Sequence, residues 1–180
     1  MIGIEPEIID QCKGGKHMAQ MRLYETFYKR VYNACYRVLY DSLEAEDAMQ
    51  ESFLKAFSSI GSYNDAVPFE AWLVRIAINT SIDKLRKRDV DAISLNENIY
   101  SGIPDDNDDE DWEKILNRVS QVKAAIAKLP DSNRLIINLY LIEGYDHEEI
   151  AEILNIAPGT ARIQYMRAKQ KLLQLIWKEA

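Results

Sequence analysis

Cysteine, histidine, glycine and proline are scarce in this sequence, and each scarcity excludes a class of protein. The two cysteines, Cys12 and Cys35, form no CxxC pair, and the two histidines, His17 and His147, stand apart from them. A disulfide scaffold and a zinc site are therefore not expected, and a reducing compartment is. Seven glycines and five prolines in 180 residues, set against ten tyrosines and three tryptophans, argue against a collagen-like or disordered chain. No apolar run approaches the ~18 residues of a membrane span. The stretch MIGIEPEIID is acidic where a leader would be basic, so neither span nor leader is expected and the chain reads as cytoplasmic. Nucleophile–base pairs, glycine-rich phosphate loops and metal clusters are missing too. No enzyme activity, cofactor or small-molecule substrate is expected.

Charge is present in quantity but unevenly placed. Basic side chains number 22 and acidic ones 29, a net charge of −7. Read whole, that balance argues against nucleic acid as a partner. Its placement argues otherwise. Residues 105–113, DDNDDEDWE, hold seven carboxylates and no base, and without them the chain is neutral. Residues 1–104 carry 12 bases against 15 acids, and residues 114–180 carry 10 against 7.

With 47% hydrophobic residues the chain can bury a core, and the apolar spacing is helical almost throughout. Between Lys16 and Tyr40, Met21, Leu23, Tyr24, Phe27, Tyr28, Val31, Tyr32, Cys35 and Val38 recur at three- and four-residue intervals. A further helix is expected from about Glu44 to Ile60, with Ala48, Phe53, Leu54 and Phe57 as its apolar contacts. Residues 61–65 form a loop, and Pro68 opens a helix to about Arg88 within its first turn. Periodicity then fails. The fold expected is all-α, with two small helical domains, 1–90 and 113–180, joined by a flexible acidic linker, 91–112. In the second domain, Leu129-Pro130-Asp131 should end one helix and cap the next, whose apolar residues are Leu135, Ile136, Leu139 and Ile142. Gly144 stops that helix.

A helix-turn-helix is the sharpest local signal. Asp146 and Glu149 stand in capping-box spacing before Ile150, Ala151, Ile153 and Leu154. Asn155-Ile156-Ala157 makes a turn, and Pro158 starts a helix to about Trp177. Ala161, Tyr165, Ala168, Leu172 and Ile176 fall within an arc of roughly 80° as one buried stripe. The opposite face carries Arg162, Ile163, Met166, Arg167 and Gln170, flanked by Lys169. A single basic helix face is most simply a solvated one, but the turn, the cap and the absence of acid together favour entry into a major groove.

The helix from Pro68 has an expected core stripe of Phe69, Trp72, Leu73, Ile76 and Ala77. Arg75, Asn79, Asp83 and Arg86 share another arc. Lys84, Arg86, Lys87 and Arg88 crowd its end, where they answer the helix macrodipole or, in the competing reading, hold phosphates. Among the nearby aromatics, Phe69 and Trp72 read as core, and the loop residue Tyr63 is the better platform for an unpaired base.

Four segments resemble those of the extracytoplasmic-function (ECF) sigma factors of bacterial RNA polymerase, in the sigma-70 family. They are AEDAMQESFLKAF (45–57), PFEAWLVRIAINTSIDKLRKR (68–88), LPDSNRLIINLYLIEGYDHEEIAEIL (129–154) and APGTARIQYMRAKQKL (157–172), in the family's order and spacing. The resemblance implies that the first segment docks on the clamp of core polymerase through Asp47, Gln50, Glu51 and Leu54. Without it, an exposed acidic helix face would be the preferred reading. It further implies that the loop SIGSYND, with Tyr63 and Asn64, and the next helix, with Asn79, capture a flipped base of the promoter −10 element. Arg75, Lys84, Arg86, Lys87 and Arg88 would hold phosphates, and Thr160, Arg162, Ile163, Met166, Arg167 and Lys169 would read the −35 duplex. The sequence departs from the family at Ile163, where a small hydroxyl residue is usual. Gln164 stands where arginine is common, and Ala157 replaces a serine cap. Family members are typically held by an anti-sigma factor, often membrane-bound. The acidic run would either mimic a nucleic-acid backbone in a basic polymerase channel or serve as a solubilising tether.

Two rivals remain at this stage. One is a helix-turn-helix regulator of duplex DNA that is not a sigma subunit. The other is an inactive adaptor that only binds a regulatory partner.

Overall fold

The computed structural model describes residues 6–91 and 110–178. These residues form eight α-helices and no strand: α1 (Pro6–Lys13), α2 (His17–Leu39), α3 (Ser42–Ser59), α4 (Phe69–Asp91), α5 (Glu110–Ala127), α6 (Asp131–Ile137), α7 (His147–Leu154) and α8 (Pro158–Lys178). A 3₁₀ turn, Ile60–Ser62, follows α3, and a π-helical turn, Asn138–Ile142, extends α6. The chain divides between Ile93 and Ser94 into two compact units. Most of residues 91–112, expected as a linker, lie outside the described residues. At its two ends α4 continues through Asp91 and α5 begins at Glu110, slightly inside the expected span.

The N-terminal unit is a bundle of α2, α3 and α4, with α1, which buries Ile8, Ile9 and Cys12, packed on α2 and on the 3₁₀ turn. Helix α2 buries Leu23, Phe27, Val31, Cys35 and Val38 as its spacing predicts, whereas Met21 is 52% and Tyr28 39% exposed. Asp41 starts α3 two residues earlier than expected, because its carboxylate accepts the Glu44 N–H at 2.9 Å. In α3 the core positions are Ala45, Ala48, Met49, Phe53 and Ala56, while Leu54, expected as a packing residue, is 70% exposed. Helix α4 is buried more broadly than one stripe: Phe69, Leu73, Val74, Ala77, Ile78, Ile82 and Leu85 are all buried. Trp72 and Ile76 lie at the edge of that face, half-exposed. Pro68 precedes the helix, its carbonyl accepting the Trp72 N–H at 3.1 Å.

In the C-terminal unit, α6, α7 and the end of α5 pack on α8. The expected capping box is present: Glu149 N–H donates to Asp146 Oδ1 at 2.8 Å, and Asp146 N–H to Glu149 Oε2 at 2.9 Å. Asn155 (φ 55°) and Gly144 (φ 81°) take the left-handed conformation at helix ends. Ala161, Ala168 and Leu172 are buried on α8, with Tyr165 and Ile176 half-buried beside them. Two expectations fail at α6. Asp131 does not cap; it is the first helical residue, and its carboxylate goes to the Arg134 guanidinium. Ile142 is not core but 46% exposed, because the Glu143 N–H reaches back five residues to Asn138 O, and the wide turn rotates Leu141 and Ile142 outward.

Arg134 is the polar keystone of this unit. Only 4% exposed, it donates from Nη1 to the carbonyls of Ala127 (3.2 Å) and Leu129 (3.1 Å), which close the end of α5, and from Nη2 to Asp131. Its positive charge thus lies at a helix C-terminus and replaces donors the α5 carbonyls would otherwise lack. Arg134→Met should cost about 2–4 kcal/mol, read as a lower denaturant midpoint, because the Ala127 and Leu129 carbonyls lose a buried donor and the part-exposed Asp131 carboxylate its partner. Ala157 precedes α8 with no side chain to cap it; Ala157→Ser should add about 0.5–1 kcal/mol by the same measurement.

Candidate nucleic-acid interface

On α3, Asp47, Gln50 and Leu54 form one exposed ridge, and Glu51 lies half-exposed on its α4 side. Spacing at i, i+3, i+4 and i+7 puts them together, as a docking face requires. Glu51 is already engaged. Its carboxylate accepts Lys55 Nζ at 2.8 Å along α3 and Lys84 Nζ at 3.5 Å across from α4. Lys55 also donates to Thr80 Oγ1 at 3.2 Å. One further seam contact pairs Glu44 with Arg88 at 3.5 Å.

This seam splits the basic cluster at the end of α4. Lys84 and Arg88 turn toward α3 carboxylates, and Arg86 meets Asp83 on its own helix at 3.8 Å. No ion pair among the described residues engages the exposed Lys87. Arg75 (half-exposed) and Asn79 (exposed) lie one turn apart on the open side of α4. Pairs joining residues that far apart in sequence leave no local spacing signal, so sequence reasoning missed them.

The loop before α4 also differs from expectation. Tyr63 is not a free ring but only 6% exposed. It packs edge-on to Phe69 (5.4 Å between centroids) and against Trp72 (5.3 Å), and its hydroxyl donates to Val67 O at 2.8 Å. Burial, then the neighbouring Asp65, raises its phenol pKa. Asn64 Oδ1 accepts the Ala66 N–H at 3.2 Å, tightening the loop. Trp72, read as core, is the more open of the three rings. Asn79 stands seven residues further along α4, about 10 Å of helical rise from Trp72. The aromatic and the amide therefore lie two turns apart on the open side of the helix, with Arg75 and Ile76 between them in sequence.

On α8, Thr160, Arg162, Ile163, Met166, Arg167 and Lys169 are all exposed, with Ile163 52% and Met166 59% accessible at the centre of the face. Arg162 meets Glu148 of α7 at 3.6 Å. Beneath the face, Tyr140, Tyr165 and His147 form a ring cluster, the two tyrosines 4.2 Å apart and His147 4.8 Å from Tyr140 and 5.3 Å from Tyr165, which joins α7 and the π turn to α8. Among the described residues no group of His, Cys, Asp and Glu is arranged to hold a metal.

The α3–α4 seam makes a pH prediction. The hydrogen bond from Lys55, with help from Lys84 and against burial, holds Glu51 below its ordinary value of 4.5. A depressed carboxylate stabilises the fold above its unfolded pKa and loses that contribution as pH falls through the folded one. Glu51→Gln should therefore cost under about 1 kcal/mol at pH 7, the groups being well exposed. The difference from wild type should vanish in unfolding curves taken below the folded pKa; a constant difference down to pH 3 contradicts the assignment.

Comparison with known proteins follows the same division. The family model for Sigma-70 region 2 matches residues 23–90, and that for Sigma-70, region 4 matches residues 120–172. The ECF RNA polymerase sigma factor SigW of Bacillus subtilis is 35% identical over 172 residues, spanning 91% of this chain and 92% of that protein. The RNA polymerase sigma-H factor of Pseudomonas aeruginosa is 28% identical over 187 residues, spanning 98% and 97%. Among solved structures, the sigma factor RpoE from Bartonella quintana, in complex with the anti-sigma factor NepR, shares the fold. Its TM-score is 0.64 at 22% identity, over 87% of this chain and 95% of that one. The chain belongs to the sigma-70 family, in its extracytoplasmic-function group.

Proposed function

We propose that the chain is a sigma factor that binds core RNA polymerase, directs it to specific promoters and assists their melting. The observation that carries this reading is the pairing of a region 2 unit with a region 4 unit in one chain. A helix-turn-helix regulator would need only the second, so the comparisons favour the sigma reading over that alternative. The N-terminal unit, residues 1–90, docks on polymerase through the α3 ridge of Asp47, Gln50, Glu51 and Leu54. It takes the −10 strand along the open side of α4, and the C-terminal unit, residues 113–180, reads the −35 duplex with α8. The acidic residues 91–112 connect them.

The site chemistry supports each assignment. Asp47, Gln50 and Glu51 offer acceptors to a basic surface, and Leu54 adds exposed apolar area at the end of the same ridge. On α4, Arg75, Lys84, Arg86, Lys87 and Arg88 hold phosphates. A flipped base lies between the Tyr63–Trp72 aromatic wall and the Asn79 amide, with Asn64 shaping the loop; Tyr63 acts as the wall's buried support. On α8, Arg162, Arg167 and Lys169 supply cations and Thr160 a hydroxyl, while Ile163 and Met166 present apolar groups suited to a thymine methyl. The protein works without chemistry of its own. No helix among the described residues is long and apolar enough to cross a membrane. Function at cytoplasmic polymerase, under control of an anti-sigma factor that is often membrane-bound in this family, fits that observation.

Run-off transcription with purified core polymerase over a promoter library tests the reading: at least one promoter should fire only when the chain is added. Absence of a complex with core at moderate salt would sink it. Asn79→Ala should slow open-complex formation roughly tenfold, about 1.4 kcal/mol for one lost base contact, while sparing assembly with core.

A further inference from the structure

The recognition helix has two edges, and they differ in charge. The α7 edge is acidic: Glu148 meets Arg162 at 3.6 Å, Glu149 is committed to the capping box and Glu152 is exposed one turn on. A phosphate approaching there meets carboxylates. The α6 edge is a groove lined by Ser132 and Asn133 from α6 and by Gln164, Arg167, Gln170, Lys171 and Gln174 from α8. No carboxylate and no hydrocarbon side chain is among its lining residues. The adjacent Asp131 is already bonded to Arg134.

Four of the five α8 residues, Gln164, Arg167, Lys171 and Gln174, recur at i, i+3, i+7 and i+10, a continuous stripe about 15 Å long. It begins beside the reading face, shares Arg167 with it and runs on past its end. Lys171 is held across the groove, its Nζ donating to Asn133 Oδ1 at 3.1 Å. That bond fixes the ammonium on the groove wall and leaves the Asn133 amide N–H groups as further donors. Two cations, amide donors and a hydroxyl, with no competing acid, suit an anionic oxygen cluster carried on the same duplex that the reading face meets.

We propose that this groove seats a backbone phosphate of the duplex read by α8, so that α6, which precedes the helix-turn-helix, supplies part of the DNA grip through Asn133 and Ser132. Arg167 then stands between base edge and backbone, and Lys171 contacts backbone alone. The proposal rests on the reading of the C-terminal unit as a duplex reader.

The test uses holoenzyme reconstituted from core polymerase and the full chain, titrated with promoter duplex and a scrambled duplex across a salt series. Lys171→Ala should weaken both duplexes by roughly three- to tenfold near 0.1 M salt and reduce the slope of log K against log salt by about 0.9, one phosphate's worth. Asn133→Ala should act in the same direction with a smaller loss. Lys123→Ala removes an equal charge from the exposed side of α5 and should change neither quantity. Equal effects at Lys171 and Lys123, a loss confined to one sequence, or an unchanged slope overturns the phosphate seat. So does a Lys171→Ala defect in assembly with core, which would assign the groove to a protein partner. Wild-type holoenzyme that fails to hold the promoter duplex would bring down the function itself, a result visible before any variant is made.

Discussion

Burial of α4 on most of its circumference is the constraint that organises the N-terminal unit. Phe69, Leu73, Val74, Ala77, Ile78, Thr80, Ser81, Ile82 and Leu85 are all buried. At about 100° per residue they cover an arc of some 220°. What remains is a narrow open strip bearing Trp72, Arg75, Ile76, Asn79, Asp83 and Arg86. Lys84 and Arg88 fall outside that strip, on the side facing α3, which is why they meet Glu51 and Glu44 and do not join Arg86 in one basic patch. Core packing thereby decides which cations of α4 face solvent before any ligand is considered.

The same seam ties the α3 ridge to the helix behind it. Glu51 belongs to the ridge proposed to dock on polymerase, yet its carboxylate is shared by Lys55 and Lys84. A basic partner that takes Glu51 must compete with both. The pairs are exposed enough that the competition costs little. Asp47, one turn earlier, carries no such contact among those described, so the ridge presents one committed and one uncommitted carboxylate.

Local chemistry made much of this fold legible in the sequence. Asp146 and Glu149 announced α7 through a cap whose two hydrogen bonds close within four residues, and the Ala161–Ala168–Leu172 stripe of α8 is read from spacing alone. Failures came where the deciding contact is distant or the helix irregular. The π turn at Asn138–Ile142 breaks the 3.6-residue period, so Ile142 points away from where periodicity puts it. Tyr63 follows a loop-like run of residues, but Phe69 and Trp72, supplied by the next helix, draw its ring inward. Asp131 has the look of a cap, yet a nearby buried arginine claims it. In the candidate site, exposure of the α8 face follows from spacing, whereas on the α3 ridge Leu54, which periodicity counts among the packing contacts, is exposed. The pairing of α4 cations with α3 does not, because ion pairs across a helix seam have no sequence period.

Charge placement, not net charge, governs how such a chain holds DNA. The acidic run at 105–113 accounts for the whole excess of −7. In the proposed reading a duplex is faced by α8, where Arg162 is already met by Glu148, so that Arg167, Lys169 and Lys171 would carry most of the available attraction. Three or so phosphates neutralised by one unit give weak, strongly salt-dependent binding. Under the proposed function, useful affinity then arises from linkage. Once core polymerase holds one unit, the second meets its DNA at an effective concentration far above that of free protein, and two weak grips multiply. A modestly charged reader suits that arrangement, since it stays off non-specific DNA until polymerase places it and leaves discrimination to the base edges beneath Ile163, Met166 and Arg167.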